Sequence, residues 1–233
     1  MRDADSVATE KAQRIKPTLF NPRYLHLREL KRYTVKVINK HIAALPDATL
    51  VDYGCGSMPY RAYFEPYVAR YIGADIAENT AADVRLIDGK LDLPDGSADI
   101  VVSTQVLEHV TDPRLYLEES CRVLKKGGLM LVSTHGIWRY HPDPTDYWRW
   151  TSDGLKKIIE ESGFSVLEVH GVMGLASMGV LLIQDAFLFK LPKFLRFIFV
   201  PFMQLGMILL DKVHTEANKK KDAGVFVIVA QKI

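Results

Sequence analysis

Short apolar runs alternate with helix-like segments along most of this chain. The runs lie at residues 50–53, 71–75, 83–87, 100–103, 129–133, 164–169 and 225–230, and their lengths are typical of buried strands. Helix signals recur between them: Asp112 and Pro113 predict the start of one helix and Gly127 its end. Strands that alternate with helices favour an α/β fold with a doubly wound parallel sheet, covered by helices on both faces.

The chain is predicted to consist of a leading segment and one domain that contains an insertion. Residues 1–45 are predicted to form an N-terminal tail and a leading helix, with apolar residues at helical spacing and Pro46 closing the run. Residues 46–233 are predicted to form one α/β domain. An apolar stretch, residues 171–223, is interpreted as a helical insertion before the last strand.

Charge and cysteine content argue against several classes of function. The 233 residues carry a formal net charge of +2 without a basic stripe that includes aromatics, so we expect no nucleic-acid partner. The two cysteines, Cys55 and Cys121, lack the spacing of a metal site or a disulfide framework, which is typical of a reducing compartment. The same lack of spacing predicts no metal. The first residues mix both charge signs without an apolar signal run, so we expect a cytoplasmic protein.

The most informative loop follows the first predicted strand, in the sequence VDYGCGSMPY at residues 51–60. Gly54 and Gly56 leave no side chain in the way of a ligand that approaches the backbone. Asp75 ends the second strand, where a carboxylate can accept hydrogen bonds from ribose hydroxyls. A dinucleotide site needs a third glycine and free N–H groups facing a pyrophosphate, but that position is Pro59, which has no N–H. The turn therefore suits an adenosine without phosphate, and S-adenosylmethionine is such a ligand.

Five stretches resemble the class I S-adenosylmethionine-dependent methyltransferases, and among them the small-molecule group called type 11. They are VDYGCGSMPYR, YIGADI, LPDGSADIVVSTQVLEHVTDP, RVLKKGGLMLVST and DYWRWTSDGLKKIIEESGF, in the family's order. The resemblance implies a Rossmann-like, seven-stranded sheet whose last strand is antiparallel. It also implies that S-adenosyl-L-methionine is the cofactor.

The resemblance further implies a set of cofactor-binding residues on the loops that follow the strands. They are Asp52, Gly54, Cys55, Gly56, Asp75, Ile76, Asp88, Gly89, Gln105 and His109. Asp52 keeps a second interpretation, because an acid at a strand end often hydrogen-bonds loop amides. Asp88 lies in a polar loop where acids usually face water, and the Glu108–His109 pair is also typical of a first helical turn.

The acceptor of the methyl group would be bound by HGIWRYHPDPTDYWRW, residues 135–150, which contains all three tryptophans. Methyl transfer is an in-line displacement, so the protein must position the nucleophile, and a hydroxyl also needs a base. The candidate groups are His141 first, His135 second, and then Asp143 and Asp146. The alternative is structural: Asp146 and Arg149 form an ion pair that fixes the loop, with Trp148 and Trp150 packed beneath it.

These features predict methyl transfer to a small-molecule or glycan- or lipid-linked acceptor, with oxygen as the expected acceptor atom. Two alternatives stay open. An NAD-dependent oxidoreductase would use a similar glycine turn and distal acid, although Pro59 and the missing third glycine count against it. A catalytically silent subunit would keep the cofactor fold but lack an acceptor pocket.

The apolar insertion raises a separate question of partners. Its longest uncharged run, residues 197–210, is shorter than the roughly twenty residues of a membrane-spanning helix. We expect two or three helices, broken near Pro192 and Pro201. Residues 179–210 would serve as a lid, as a homodimer interface, or as a peripheral membrane contact, since lysines and an arginine lie among phenylalanines.

Overall fold

The computed structural model describes residues 12–87, 89–143 and 145–233, which form an eight-stranded sheet with helices on both faces. The strands are β1 (Thr49–Tyr53), β2 (Arg70–Asp75), β3 (Val84–Ile87), β4 (Lys90–Leu91), β5 (Ala98–Thr104), β6 (Leu124–His135), β7 (Phe164–Val172) and β8 (Val225–Lys232). Their order in the sheet is β4-β3-β2-β1-β5-β6-β8-β7.

The central strands are parallel, so their carboxyl ends meet at one edge. β1 pairs in parallel with β2 and β5, and β5 pairs in parallel with β6. The last strand, β8, lies antiparallel between β6 and β7, as predicted. Side chains alternate between the two faces: Leu50 and Ile100 join one core, whereas Val51 and Val101 join the other. Ligands of such sheets bind beyond the carboxyl ends, where the predicted site residues lie.

The prediction of seven strands is wrong by one. The additional strand is β4, which pairs antiparallel with β3 through Leu86 opposite Leu91 and Ile87 opposite Lys90. Gly89, at φ +78°, lies in the turn between them. A strand of two residues has no detectable periodicity, so its pattern could not be found in the sequence.

The helices are α1 (Tyr24–Val37), α2 (Arg61–Phe64), α3 (Pro113–Val123), α4 (Ser152–Glu161), α5 (Leu175–Leu188), α6 (Lys193–Asp211) and α7 (Glu216–Lys219). The α3 start is as predicted, with the Asp112 carboxylate accepting hydrogen bonds from the N–H groups of Arg114 and Leu115. Its end is earlier than predicted, because β6 begins at Leu124.

The leading helix belongs to the same core as the sheet. Leu25, Leu30 and Tyr33 of α1 are buried together with Leu50 of β1. A wide π-helical turn, Ile38–Ile42, follows α1 and lies against β7 through Glu168. Burial alone would raise the pKa of Glu168, but hydrogen bonds from Lys40, His41 and His170 outweigh it and lower that pKa to about 2.

The insertion forms a helical hairpin of α5 and α6, docked on the N-terminal segment by buried amides. Gln204 donates to the Pro22 carbonyl (2.9 Å) and accepts from the N–H of Leu25 (3.0 Å). Gln184 donates to the same carbonyl (3.0 Å). These bonds and the apolar contacts of Val200 hold α6 in place, and it continues through Pro201 instead of breaking there.

One helix among the described residues, α6, passes the test of length and mean hydropathy for crossing a bilayer. The uncharged run at residues 197–210 is shorter than α6, because the helix begins at Lys193 and includes Arg196.

Candidate active site

The glycine turn after β1 has the backbone that the sequence predicts. Gly54 has φ +77° and Gly56 has φ +52°, both in the left-handed region that favours glycine. The N–H groups of Gly54 and Cys55 donate to the Ala74 carbonyl of β2, at 2.8 and 3.1 Å. A Cβ at Gly54 would overlap Val106, whereas a Cβ at Gly56 would point into open space. The turn is therefore pressed against the loop after β5 on one side and accessible on the other.

Asp75 is tied to this turn from the end of β2. Its Oδ2 accepts from the N–H of Gly56 (2.8 Å) and from Nδ2 of Asn79 (2.7 Å), and its Oδ1 accepts from the N–H of Ile76 (2.8 Å). Asn79 also donates to the Gly56 carbonyl (2.8 Å). A carboxylate offers about four lone-pair positions, so Oδ1 keeps one for a ribose hydroxyl. Sequence reasoning missed Asn79, which no motif distinguishes.

Asp52 lies at the floor of the turn, in β1. Its side chain is buried and accepts a hydrogen bond from the Tyr71 hydroxyl. Burial raises the pKa of Asp52 to about 7, against the opposing effect of that hydrogen bond. Asp52 therefore bonds a side chain of the neighbouring strand β2 and presents a titratable group to the cavity above it.

A cavity of about 900 Å³ opens along the carboxyl ends of the strands. Every cofactor-binding residue proposed from the sequence lines it, except Asp88, which lies outside the described residues: Asp52, Gly54, Cys55, Gly56, Asp75, Ile76, Gly89, Gln105 and His109. Gln105 adopts φ +58°, and its buried Oε1 has no hydrogen-bond partner in the described part of the chain. The unpartnered Oε1 of Gln105, the open space where a Cβ of Gly56 or Gly89 would stand, and the lone pair left on Asp75 together fit an adenosine cofactor without phosphate.

A second cavity, of about 300 Å³, adjoins the first. Tyr60, Gln105 and His109 line both cavities and so form the boundary between them. His135, His141 and Asp143, proposed from the sequence, line the smaller cavity. A bound cofactor and a small acceptor would thus lie side by side.

The N-terminal segment supplies the remaining wall of the smaller cavity. Arg14, Arg23 and His26 line it, together with Trp138 of the loop after β6. Sequence reasoning included Trp138 in the acceptor stretch 135–150 but did not assign Arg14, Arg23 or His26 to the site, because a packing pattern does not show which cavity a segment closes.

The surroundings of His26, His135 and His141 in the smaller cavity favour the neutral imidazole. Burial and the nearby Arg23 lower the pKa of His26 to about 3, and its buried Nδ1 has no hydrogen-bond partner among the described residues. Burial also lowers the pKa of His141 and, more strongly, that of His135. Neutral imidazoles can accept a proton or a hydrogen bond from a hydroxyl group.

The carboxylate of Glu108 lies close to His135. Nδ1 of His135 lies 3.0 Å from Oε1 of Glu108 but makes no hydrogen bond to it, and neither atom has a hydrogen-bond partner among the described residues. Oε2 of Glu108 accepts a hydrogen bond from Thr134 (2.8 Å). Burial raises the pKa of Glu108 to about 7. The sequence suggested only a first-turn acid at Glu108, because the contact joins residues of two strand-end loops that are distant in the chain.

Asp146, proposed from the sequence as a catalytic candidate, is bound to Arg149. Its carboxylate binds both terminal nitrogens of Arg149, at 2.6 and 2.5 Å, and accepts from the N–H of His141 (2.6 Å). It lines neither cavity. The structural alternative therefore describes Asp146 better, and its contribution is to hold the backbone that carries His141. Trp148 and Trp150 stack beside this pair, with ring centroids 5.9 Å apart.

Comparisons with known proteins agree with this arrangement of turn, acid and strand ends. A family model described as a methyltransferase domain matches residues 51–132. The matched stretch is similar to the methyltransferase domain of class I S-adenosylmethionine-dependent methyltransferases. A probable S-adenosylmethionine-dependent methyltransferase of Mycolicibacterium smegmatis is 32% identical over 148 residues, which cover 55% of this chain and 58% of that protein.

The chain is also similar to a second curated protein and to a solved structure. A ubiquinone biosynthesis O-methyltransferase of Dinoroseobacter shibae is 28% identical over 53% of this chain and 62% of its own length. The crystal structure of an S-adenosylmethionine-dependent methyltransferase from Aquifex aeolicus shares the fold, with a TM-score of 0.56, 15% identity and full coverage of both chains. The chain spans only about half to three fifths of these curated relatives, 58% of the first and 62% of the second.

Proposed function

We propose that this protein transfers a methyl group from S-adenosylmethionine to a hydroxyl group of a small polar acceptor bound in the smaller cavity. The observation that supports it most is the pair of adjoining cavities, one lined by the glycine turn and Asp75 and the other by neutral histidines. When bound, the cofactor supplies a methyl group activated by its sulfonium. Orientation of the acceptor and removal of its proton fall to the chain's own residues.

Oxygen is favoured as the acceptor atom because the smaller cavity is lined by His135 and His141, which can take a proton from a hydroxyl group. An alcohol attacks efficiently only when a base removes its proton, and such a base contributes about two to four orders of magnitude in rate. Nδ1 of His135 lies 3.0 Å from the Glu108 carboxylate, close enough for that carboxylate to stabilise the imidazolium that forms when His135 takes the proton. The relative named as a ubiquinone biosynthesis O-methyltransferase also acts at oxygen by its name.

We assign proton acceptance to His135, with Glu108 as its neighbouring counter-charge, and binding of the acceptor to His141. Since Nδ1 of His135 faces Glu108, its Nε2 is the nitrogen left to take the proton. Burial disfavours an isolated imidazolium there, but an ionised Glu108 makes the protonated pair neutral as a whole. The pair can accept a proton only when Glu108 is a carboxylate, so turnover should rise with pH through about 7.

An acceptor panel tests the proposal. S-adenosylhomocysteine release would be measured with phenols, sugar alcohols and lipid-linked sugars, each beside an amine and a thiol on the same skeleton. We expect release with hydroxyl acceptors and an O-methyl product by mass spectrometry. Turnover of amines or thiols alone would overturn the oxygen assignment, and binding of NAD in place of S-adenosylhomocysteine would overturn the transfer itself.

A further inference from the structure

The outer side of the α5–α6 hairpin is apolar although it faces solvent. Along α6, the side chains of Phe194, Ile198 and Phe202 are 73%, 70% and 72% exposed, and Phe197, Leu205 and Leu209 continue the same surface. Ile183 and Phe187 of α5, the other helix of the hairpin, are also more than half exposed. We call these eight residues the hairpin face. A helix that only packs on a soluble domain carries polar residues on its outer side.

The inner side of the same hairpin is already engaged. Val200, Gln204, Met207 and Asp211 are buried, and Gln204 hydrogen-bonds Gln184 of α5 (2.9 Å). Asp211 accepts from the N–H of Gly174 (2.9 Å) and pairs with Lys219. A membrane-spanning position for α6 would break these polar contacts inside hydrocarbon, where unpaired polar groups are costly. The hairpin therefore presents one face outward while the other stays bound to the domain.

The charges around the hairpin face have one sign. Residues 175–213 contain two acids, and both form ion pairs: the partly buried Asp185 with Arg23, and the buried Asp211 with Lys219. The other charged residues of this segment are Lys190, Lys193, Arg196 and Lys212, all at exposed or partly exposed positions. The guanidinium of Arg196 lies 5.7 Å from the ring of Phe189, and the ammonium of Lys190 lies 5.9 Å from the ring of Phe187.

We propose that the hairpin face docks the protein on the surface of an anionic lipid bilayer. Aromatic and aliphatic side chains would enter the boundary between headgroups and acyl chains, while the surrounding lysines and arginine meet lipid phosphates. The uniform positive charge selects this occupant over a second copy of the chain, since two such faces would bring like charges together. Asp185 of the same hairpin binds Arg23 and Arg139 at the wall of the smaller cavity, so docking would bring the acceptor side of the protein to the membrane.

Vesicle flotation with the full chain tests the proposal independently of methyl transfer. Phosphatidylglycerol/phosphatidylcholine vesicles at low salt would be compared with pure phosphatidylcholine vesicles and with high salt. We expect binding to the anionic vesicles that weakens as salt rises, because exposed charges are screened within about 10 Å at 0.1 M salt. The Phe194→Ser/Phe197→Ser variant should lower the partition coefficient by about a hundredfold. Ile233→Ser, at an exposed apolar residue outside the hairpin, is the matched control and should bind as wild type does.

A charge variant separates electrostatic from apolar contributions. Lys190→Ala/Lys193→Ala should weaken binding to anionic vesicles by about twentyfold, since each cation near such a surface contributes about a fivefold factor. Lys126→Ala, at an exposed lysine in β6, should leave binding unchanged. S-adenosylhomocysteine affinity should be the same in all variants, which shows that they are folded.

Two results would overturn the proposal. One is a wild-type protein that floats with neither kind of vesicle. The other is a wild-type dimer by sedimentation equilibrium that Phe194→Ser/Phe197→Ser converts to a monomer, without vesicle binding by either protein, because the face would then be an interface between copies of the chain.

Discussion

Gly54→Ala is expected to destabilise the protein by two separable effects. The first is backbone strain, because an alanine at φ +77° costs about 1–2 kcal/mol. The second is overlap, because its Cβ would lie 2.5 and 2.6 Å from the two Cγ atoms of Val106. Overpacking of this kind costs about 1–3 kcal/mol. The sum is a loss of about 2–5 kcal/mol in the free energy of unfolding.

Two further variants separate these effects. Gly56→Ala has a similar strain at φ +52° but no atom within 4 Å of its Cβ, so we expect a loss of only about 1–2 kcal/mol. In Gly54→Ala/Val106→Ala both Cγ atoms are gone, and the overlap part should return as a coupling energy of about 1–3 kcal/mol. Denaturant unfolding of the four proteins and of Val106→Ala measures this cycle. Equal losses for the two glycine variants, or an additive cycle, would refute the reasoning about the turn.

Three other predictions concern the acceptor cavity and the leading helix. His141→Ala should lower turnover by about tenfold and leave S-adenosylhomocysteine affinity unchanged, because it removes a hydrogen bond to the acceptor and not to the cofactor; equal losses of stability and activity would favour packing. With saturating cofactor, the wild-type rate should rise through about pH 7, and Glu108→Gln should remove that limb; an unchanged limb would contradict the proton path. Glu168→Gln should cost about 2–3 kcal/mol of unfolding free energy at neutral pH. Because the folded pKa of Glu168 is lowered to about 2, this difference should shrink as pH falls below about 4.5, and a pH-independent difference would contradict the assignment.

The parts of the site that follow directly from local sequence could be predicted. The strand, the Gly54–Gly56 turn and Asp75 lie within a short stretch of chain, and each residue type has a specific backbone or hydrogen-bonding reason to be there. The antiparallel last strand was available from the family resemblance. The strand β4 was not, because two residues carry no periodicity.

The remaining parts depend on contacts between distant residues. Glu108 faces His135, and Asn79 joins Asp75 to the glycine turn, but neither partner can be inferred from residue type or spacing. Asp146 looked like a candidate base until its pairing with Arg149 and the backbone of His141 was visible. A carboxylate is equally suited to both roles, and only its surroundings decide between them.

Titration calorimetry of Asp75→Ala with S-adenosylhomocysteine tests the central claim most directly. Wild type should bind one molecule per chain. The substitution removes a carboxylate that accepts from Gly56 and Asn79 and that, on our proposal, binds the ribose, so affinity should fall by about ten- to a hundredfold, as expected for loss of a charge-assisted hydrogen bond. Asp153→Ala, at an exposed acid of α4, should bind as wild type does. Unchanged affinity in Asp75→Ala would contradict the placement of the cofactor in this cavity.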